Sequence, residues 1–161
     1  MIAVLDYGSQ YCHLVARRVR ALGVYAEIFP NTTTAAMLKP KSTAVDWVQS
    51  QQRLGNKKVE GVILSGGPRS VYENNAPTID KSIFALGVPI LGVCYGHQLL
   101  THVLGGKVVP SSKEYGKEIL TVAKKSRLLQ SLGKKEQVWM SHGASVVAVP
   151  QGFTVAGQTP D

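Results

Sequence analysis

An open, mainly parallel α/β sheet with helices on both faces is the fold class this sequence predicts, and three stretches predict it. Ile2-Ala3-Val4-Leu5 is a short continuous apolar run, followed by a helical pattern and a second apolar segment, which together read as a β-α-β start. Val59-Glu60-Gly61-Val62-Ile63-Leu64 repeats the buried-strand signature and empties into Ser65-Gly66-Gly67-Pro68. Val88-Pro89-Ile90-Leu91 then runs into Gly92-Val93-Cys94-Tyr95-Gly96 and directly into a helical pattern. A strand that turns into a helix through two glycines is the geometry of a nucleophile elbow, which exposes its middle residue at the end of a sheet.

Composition sets the outer bounds. A chain of 161 residues is the size of one ordinary domain, 1–161, with a sizeable core. Its 44% hydrophobic and 17% charged content fits a globular protein that is neither disordered nor membrane-embedded. Asp6 interrupts the apolar start too early for a signal peptide, and two cysteines, one of them needed as a thiol, point to a reducing, cytoplasmic setting. Cys94 and His97 alone do not supply the four ligands of a zinc site, so no metal is expected. Eight of the 18 Lys and Arg residues lie between Lys107 and Lys135, against Glu114 and Glu118 alone. Few aromatic residues interleave with them and no nucleic-acid motif is present, so the segment reads as a solvated or partner-facing surface.

Taken in order, Asp6-Tyr7-Gly8-Ser9 is a turn in which Ser9 is placed to cap a helix. Tyr11, Leu14, Val15, Val19 and Leu22 then fall at helical spacing, with Gln10, His13, Arg17 and Arg20 opposite. Gly23 ends that helix, and Val24 to Phe29 forms a second strand, parallel to the first by a right-handed crossover. From Pro30 to Lys58 the pattern is that of surface loop, with a helix over Ala44 to Leu54. A helix around Thr78 to Leu86 precedes the elbow strand. Beyond it, Leu99, Leu100, Val103 and Leu104 share a helix face that Gly105-Gly106 terminates. Lys107 to Val109, Glu118 to Val122, Gln137 to Met140 and Ser145 to Val149 are expected as separate short strands.

The elbow carries the chemistry. Cys94 at a helix N-terminus meets unpaired N–H groups and a helix dipole that favour a thiolate; the alternative is a buried structural cysteine. A cysteine acting on an acyl group also needs two oxyanion donors, a base and a substrate pocket. The N–H of Tyr95 is one donor, and the Gly66-Gly67 loop at the end of the neighbouring strand offers the second; an ordinary tight turn is the other reading of that loop. Pro68 removes an N–H that a phosphate loop needs, and no Lys-Ser/Thr pair follows, which excludes a Walker loop. Gln98, one turn after Cys94, is either a substrate-orienting amide or a solvated helix residue. Trp139-Met140-Ser141-His142-Gly143 ends a strand with polar residues, a plausible pocket wall, although His142 alone reads first as a packing or surface histidine.

Several segments occurring in order resemble a known family: Asp6-Tyr7-Gly8-Ser9-Gln10-Tyr11, Ala16-Arg17-Arg18-Val19-Arg20, Leu64-Ser65-Gly66-Gly67-Pro68, Ser70-Val71-Tyr72, Gly92-Val93-Cys94-Tyr95-Gly96-His97-Gln98, Glu114-Tyr115-Gly116 and Trp139-Met140-Ser141-His142-Gly143. Together they look like the class I glutamine amidotransferase domain, a flavodoxin-like fold, as found in glutamine-hydrolysing GMP synthetases. The resemblance implies that Cys94 attacks the carboxamide of glutamine, forms a thioester and releases ammonia. It implies oxyanion donors at Gly67 and Tyr95, and glutamine held by Gln98, Ser141, His142 and Gly143. It also implies a partner, a synthetase (ATP-pyrophosphatase) domain or subunit that uses ATP and Mg2+ to aminate XMP to GMP. That domain, and a C-terminal strand and helix, are not expected within these residues. The glutaminase domain itself needs no cofactor. Three departures stand out. Ala144 occupies a position where the family has an acidic residue, and the Thr32–Lys58 segment is long. None of the four histidines is followed by Pro-x-Glu, the motif that carries the family's base. This chain alone is therefore expected to be inactive, and a non-hydrolysing glutamine-binding or regulatory module is the alternative function.

Overall fold

The computed structural model describes residues 1–39, 57–124 and 126–160. The helix expected over Ala44 to Leu54 lies outside the described residues, as does most of the long Thr32–Lys58 segment. Two compact units divide the chain, Met1–Leu99 and Leu100–Asp161. Among the described residues no helix is long and apolar enough to cross a membrane.

The first unit is built on a parallel four-stranded sheet of order β2-β1-β3-β4, with β1 Ile2–Asp6, β2 Ala26–Pro30, β3 Gly61–Leu64 and β4 Ile90–Gly92. In β1, Ala3, Val4 and Leu5 are all fully buried, which is why the strand reads as a continuous apolar run and not an alternating one. Helix α1, Cys12–Ala21, crosses between β1 and β2. Its buried face differs from the expected one. Cys12 and Ala16 are buried with Val15 and Val19 beside them against Val4, Ala26 and Ile63, whereas Tyr11, Leu14 and Leu22 are exposed. Small side chains at 12 and 16 let the helix axis approach the sheet, and the larger apolar residues are rotated outward.

Boundaries shift for local reasons. The Ser9 hydroxyl accepts from the Tyr11 N–H at 3.1 Å, forming a turn ahead of the helix and not its cap. Strand β3 begins two residues later than expected, because Glu60 is engaged by the chain start: the Met1 ammonium donates to Lys58 O at 2.7 Å and to Glu60 Oε2 at 2.8 Å. A short helix α2, Ala35–Leu38, follows β2. The helix expected over Thr78–Leu86 is a 3-10 helix, Lys81–Leu86, since Asp80 caps it by accepting from Ser82 N at 2.8 Å and Gly87 stops it at φ 66°.

Helix α3, Tyr95–Val103, starts against Leu64, while α1 covers Ile63 on the opposite side of the same strand, so helices lie on both faces. It ends as anticipated. Gly105, at φ 90°, donates to His102 O at 3.3 Å, and Gly106 donates to Thr101 O at 2.8 Å.

The second unit corrects the expectation of several short strands. Two long strands, β5 Lys107–Val122 and β6 Lys135–Ala148, pair antiparallel, and a two-residue β7, Gly157–Gln158, adds to β5. Pro110-Ser111-Ser112 reads as a break in sequence. The ladder absorbs it as a register irregularity between Pro110 and Glu114.

Steric fit at the elbow generates the first prediction. A Cβ on Gly92 would fall 2.5 Å from His97 N and 2.6 Å from Gly96 C, and one on Gly96 would overlap Leu64 O. A Cβ on Gly66 would meet nothing closer than 3.5 Å. In urea titrations, Gly92→Ala and Gly96→Ala should each lose about 1–3 kcal/mol or more of stability, and Gly66→Ala should change it little.

Candidate active site

Three strand ends converge at the carboxyl edge of the parallel sheet, where ligands bind in folds of this class. Register places them side by side: Leu5 of β1 is opposite Leu64 of β3, and Leu64 is opposite Gly92 of β4. Beyond those residues the ladder continues as single bonds. Ser65 N donates to Leu5 O at 3.0 Å, Val93 N to Leu64 O at 3.0 Å, and Gly96 N to Ser65 O at 3.1 Å. The first turn of α3 is thus stitched to the loop after β3, which brings the Gly66-Gly67 segment alongside Cys94.

Cys94 adopts φ 51°, in the left-handed region. Asn75 is the other non-glycine residue there among the described residues. Such a conformation costs about 1–2 kcal/mol in a residue with a Cβ and persists where surrounding structure imposes it. The imposing contacts are those of Gly92 and Gly96, which let strand and helix pack with only Val93, Cys94 and Tyr95 between them. The turn leaves Cys94 exposed. A Cβ on Gly66 would stand 3.5 Å from Cys94 Cβ and 3.5 Å from Ser9 Oγ, so the loops after β1 and β3 both reach the thiol's surroundings.

Gly67 is fixed by a different neighbour. Its Cα is packed so tightly on the Tyr7 carbonyl that a Cβ would lie 2.5 Å from that oxygen. Ser65, fully buried, braces the same corner: its hydroxyl accepts from Tyr7 N at 2.9 Å and donates to Gly66 O at 2.8 Å. Among the described residues neither Gly67 N–H nor Tyr95 N–H donates to a backbone acceptor. These are the two positions at which the sequence expected oxyanion donors.

Tyr95 is 1% exposed and Tyr7 3%, with ring centroids 5.5 Å apart at 38°. The Tyr95 hydroxyl donates to Pro77 O, while the Tyr7 hydroxyl is buried with no hydrogen-bond partner among the described residues. Burial raises both phenol pKa values; the Glu73 charge adds to the rise at Tyr95, and the coupling of the two phenols, which disfavours two phenolates side by side, adds to that at Tyr7. At neutral pH both are therefore uncharged.

Gln98 is 7% exposed, and its N–H donates to Cys94 O at 3.1 Å in the first turn of α3. The residue expected to be either substrate-facing or solvated is buried. Ser141, His142 and Gly143 lie on β6 in the second unit, with Ser141 opposite Tyr115 and His142 opposite Glu114 in the antiparallel ladder. The first unit therefore brings together Gly67, Cys94, Tyr95 and Gln98, and the second carries the Ser141–Gly143 run on its own hairpin. Ala144, where the resemblance expects an acidic residue, is 4% exposed. Sequence reasoning missed Ser65, Tyr7 and the Pro77 carbonyl as supports of this corner. Ser65 was legible as the first residue of the Ser-Gly-Gly-Pro loop; the Pro77 contact carries no local signal.

Comparison with known proteins agrees with this geometry. The family described as Glutamine amidotransferase class-I matches residues 3–161. A candidate glutamine-hydrolysing GMP synthase of Halalkalibacterium halodurans is 49% identical over 161 residues, covering 99% of this chain and 28% of the relative. The glutamine-hydrolysing GMP synthase of Bacillus subtilis is 47% identical over 156 residues, 96% of this chain and 27% of the relative. The chain thus spans less than a third of the length of these curated relatives. Among solved structures, a candidate GMP synthase subunit from Thermoplasma acidophilum superposes with a TM-score of 0.74 at 28% identity, over 99% of this chain and 72% of that one. A strand–Cys–helix elbow at the carboxyl edge of a parallel sheet and a family match over nearly every residue lead to one conclusion: the chain belongs to the class-I glutamine amidotransferase family.

Proposed function

We propose that this chain is the glutaminase portion of a glutamine-hydrolysing GMP synthase. The observation that carries the reading is the exposed Cys94, held at φ 51° between β4 and α3 beside a Gly-Gly loop. In this reading the Cys94 thiolate attacks the carboxamide carbon of glutamine. An S–C bond forms, and the carbonyl oxygen becomes an oxyanion that the Gly67 and Tyr95 N–H groups stabilise. Collapse of that adduct breaks the C–N bond. The nitrogen leaves as ammonia once protonated, and water hydrolyses the remaining glutamyl thioester to glutamate and free thiol. Gln98 and the Ser141–Gly143 strand end would hold and orient the glutamine. Identity of 47–49% to GMP synthases over nearly the whole chain supports this reading over the regulatory alternative.

The ammonia would pass to a synthetase portion that consumes ATP and XMP, and a cytoplasmic setting suits both that chemistry and a reduced catalytic thiol. Pro68 removes an N–H from the Gly-Gly-Pro loop and no Lys-Ser/Thr pair follows it, so the loop does not fit a nucleotide phosphate. ATP and Mg2+ are assigned to the synthetase portion, and no step within this chain runs through them.

The two cysteines make the reading testable. Cys12 is 1% exposed, and its thiol is pushed up to about 11, first by burial and then by the neighbouring Asp6 charge. At pH 8 a glutamine-shaped chloroketone should alkylate Cys94 and leave Cys12 unmodified; labelling unaffected by Cys94→Ser would overturn the assignment. Cys12 ionisation opposes folding, because the native state holds that proton more tightly than the unfolded chain does. Its contribution is therefore intact below about pH 9 and lost as pH rises toward 11. The melting temperature of Cys12→Ala should accordingly fall less than that of the parent chain across this interval.

Ammonia release gives the second test. None of the four histidines of this chain stands in a His-Pro-x-Glu motif, so residues 1–161 offer no group in the place of the family's base. Leaving-group protonation and water activation both fall to that base. Triad members act as a unit, so the chain alone should turn over glutamine about 10⁴-fold or more slowly than a relative carrying the motif, with Cys94→Ala as blank. Comparable turnover would place the base on one of His13, His97, His102 or His142.

A further inference from the structure

Resting on the glutaminase reading, we infer that the side chain of Tyr95, and not only its main-chain N–H, is a positioning residue that fixes the separation between the two oxyanion donors. One donor, Tyr95 N–H, sits at the start of α3; the other, Gly67 N–H, sits on the loop after β3. No direct backbone hydrogen bond joins residue 95 to residue 67 among the described residues. Besides the Val93 N–Leu64 O and Gly96 N–Ser65 O bonds at the base of the two loops, a tilted ring pair and one hydrogen bond link them.

Gly67 rests on the Tyr7 carbonyl, and the Tyr7 ring contacts the Tyr95 ring at 5.5 Å. From the other side, the Tyr95 hydroxyl donates to Pro77 O, on the far limb of the segment that begins at Gly67 and Pro68. Among the described residues the other hydrogen bonds of that segment are local turns: Glu73 N donates to Ser70 O at 3.0 Å, Ser70 N to Glu73 Oε1 at 3.0 Å, and Ala76 N to Glu73 O at 3.2 Å. Arg69 and Glu73 pair at 3.3 Å on an exposed surface, where an ion pair stabilises little. The buried anchors are Val71, Ile79 and this phenol. Among the described residues Tyr95 is therefore the side chain that both adjoins a donor N–H through its own backbone and ties down the loop bearing the other.

The two phenols play unequal parts. Among the described residues the Tyr7 hydroxyl has no partner, so its contribution is ring area; that of Tyr95 is a buried, charge-neutral donor to a carbonyl. An oxyanion hole works by being held in place before charge develops. A hydroxyl that fixes donor spacing thus affects the step in which an oxyanion forms and leaves other reactions of the same thiol alone.

Two electrophiles separate those cases. A glutamine-shaped chloroketone reacts through an adduct whose ketone oxygen becomes an oxyanion, whereas iodoacetamide is attacked at its methylene carbon with loss of iodide and needs no such hole. With the 161-residue chain, Tyr95→Phe should lower the maximal chloroketone inactivation rate about tenfold, with the half-saturating concentration and the iodoacetamide rate at Cys94 within twofold of the parent. Pro77→Gly, which loosens the loop while keeping the acceptor, should show the same split if Tyr95→Phe melts too early to assay. Tyr72→Phe, an exposed phenol on the same loop, should behave as the parent. Equal slowing of both electrophiles would assign Tyr95 a merely structural role and overturn the inference, as would a chloroketone rate within twofold of the parent. Failure of the parent chain to react at Cys94 with either reagent would instead overturn the glutaminase reading on which the inference rests.

Discussion

Everything at this site depends on how closely the start of α3 approaches the end of β3. The backbone of Gly96 lies against Leu64 with no room for a Cβ, and Gly92 is equally tight against His97 N and Gly96. A strand and a helix that meet at that distance leave only Val93, Cys94 and Tyr95 to reverse the chain, and the reversal places Cys94 at φ 51°. The strain of that conformation, about 1–2 kcal/mol, is small beside the packing that imposes it. It turns a residue type usually buried into an exposed one at a helix N-terminus. The contrast with Cys12 is instructive. The same side chain, placed on a regular helix against Val4 and Ala26, is buried and hard to ionise. Exposure here is a property of backbone geometry before it is one of side-chain chemistry.

The parallel sheet and the elbow were legible in the sequence because both leave local signatures. Buried parallel strands are continuous apolar runs, and Gly-x-Cys-x-Gly after such a run has few other uses. The helix stops at Gly23 and Gly105 were readable for the same reason, since positive φ selects glycine. What escaped was decided by neighbours distant in sequence. The buried face of α1 follows Cys12 and Ala16, not Leu14 and Leu22, because closeness of approach outweighs side-chain size, and spacing alone does not reveal which stripe meets the sheet. In the second unit, Pro110 and two serines imitate a turn, yet cross-strand pairing carries β5 through them.

Within the candidate site, the elbow pattern pointed to Cys94, Tyr95 and the Gly66-Gly67 loop, and the family resemblance to Gly67 in particular. Burial of Gln98 was not readable, because its i+4 relation to Cys94 says which turn it occupies and nothing of what covers it. The Tyr7–Tyr95 contact and the Pro77 acceptor were equally unreadable. They join residues far apart in the chain, and no periodicity reports such a pairing. The supports of a catalytic geometry are thus harder to read than the geometry itself.

Strand order also has a temporal side. β1 is made first, yet it is an inner strand, flanked by β2 on one edge and β3 on the other. During synthesis β2 emerges soon after β1, but the chain must grow from Pro30 to Gly61 before the second edge of β1 finds its partner. At ordinary elongation rates that interval lasts on the order of seconds. Throughout it a strand with three fully buried residues in the finished sheet presents an unpaired apolar edge. The nascent two-stranded fragment is therefore the species of this protein most exposed to edge-to-edge association, and the stage at which a chaperone that shields strand edges has the most to protect.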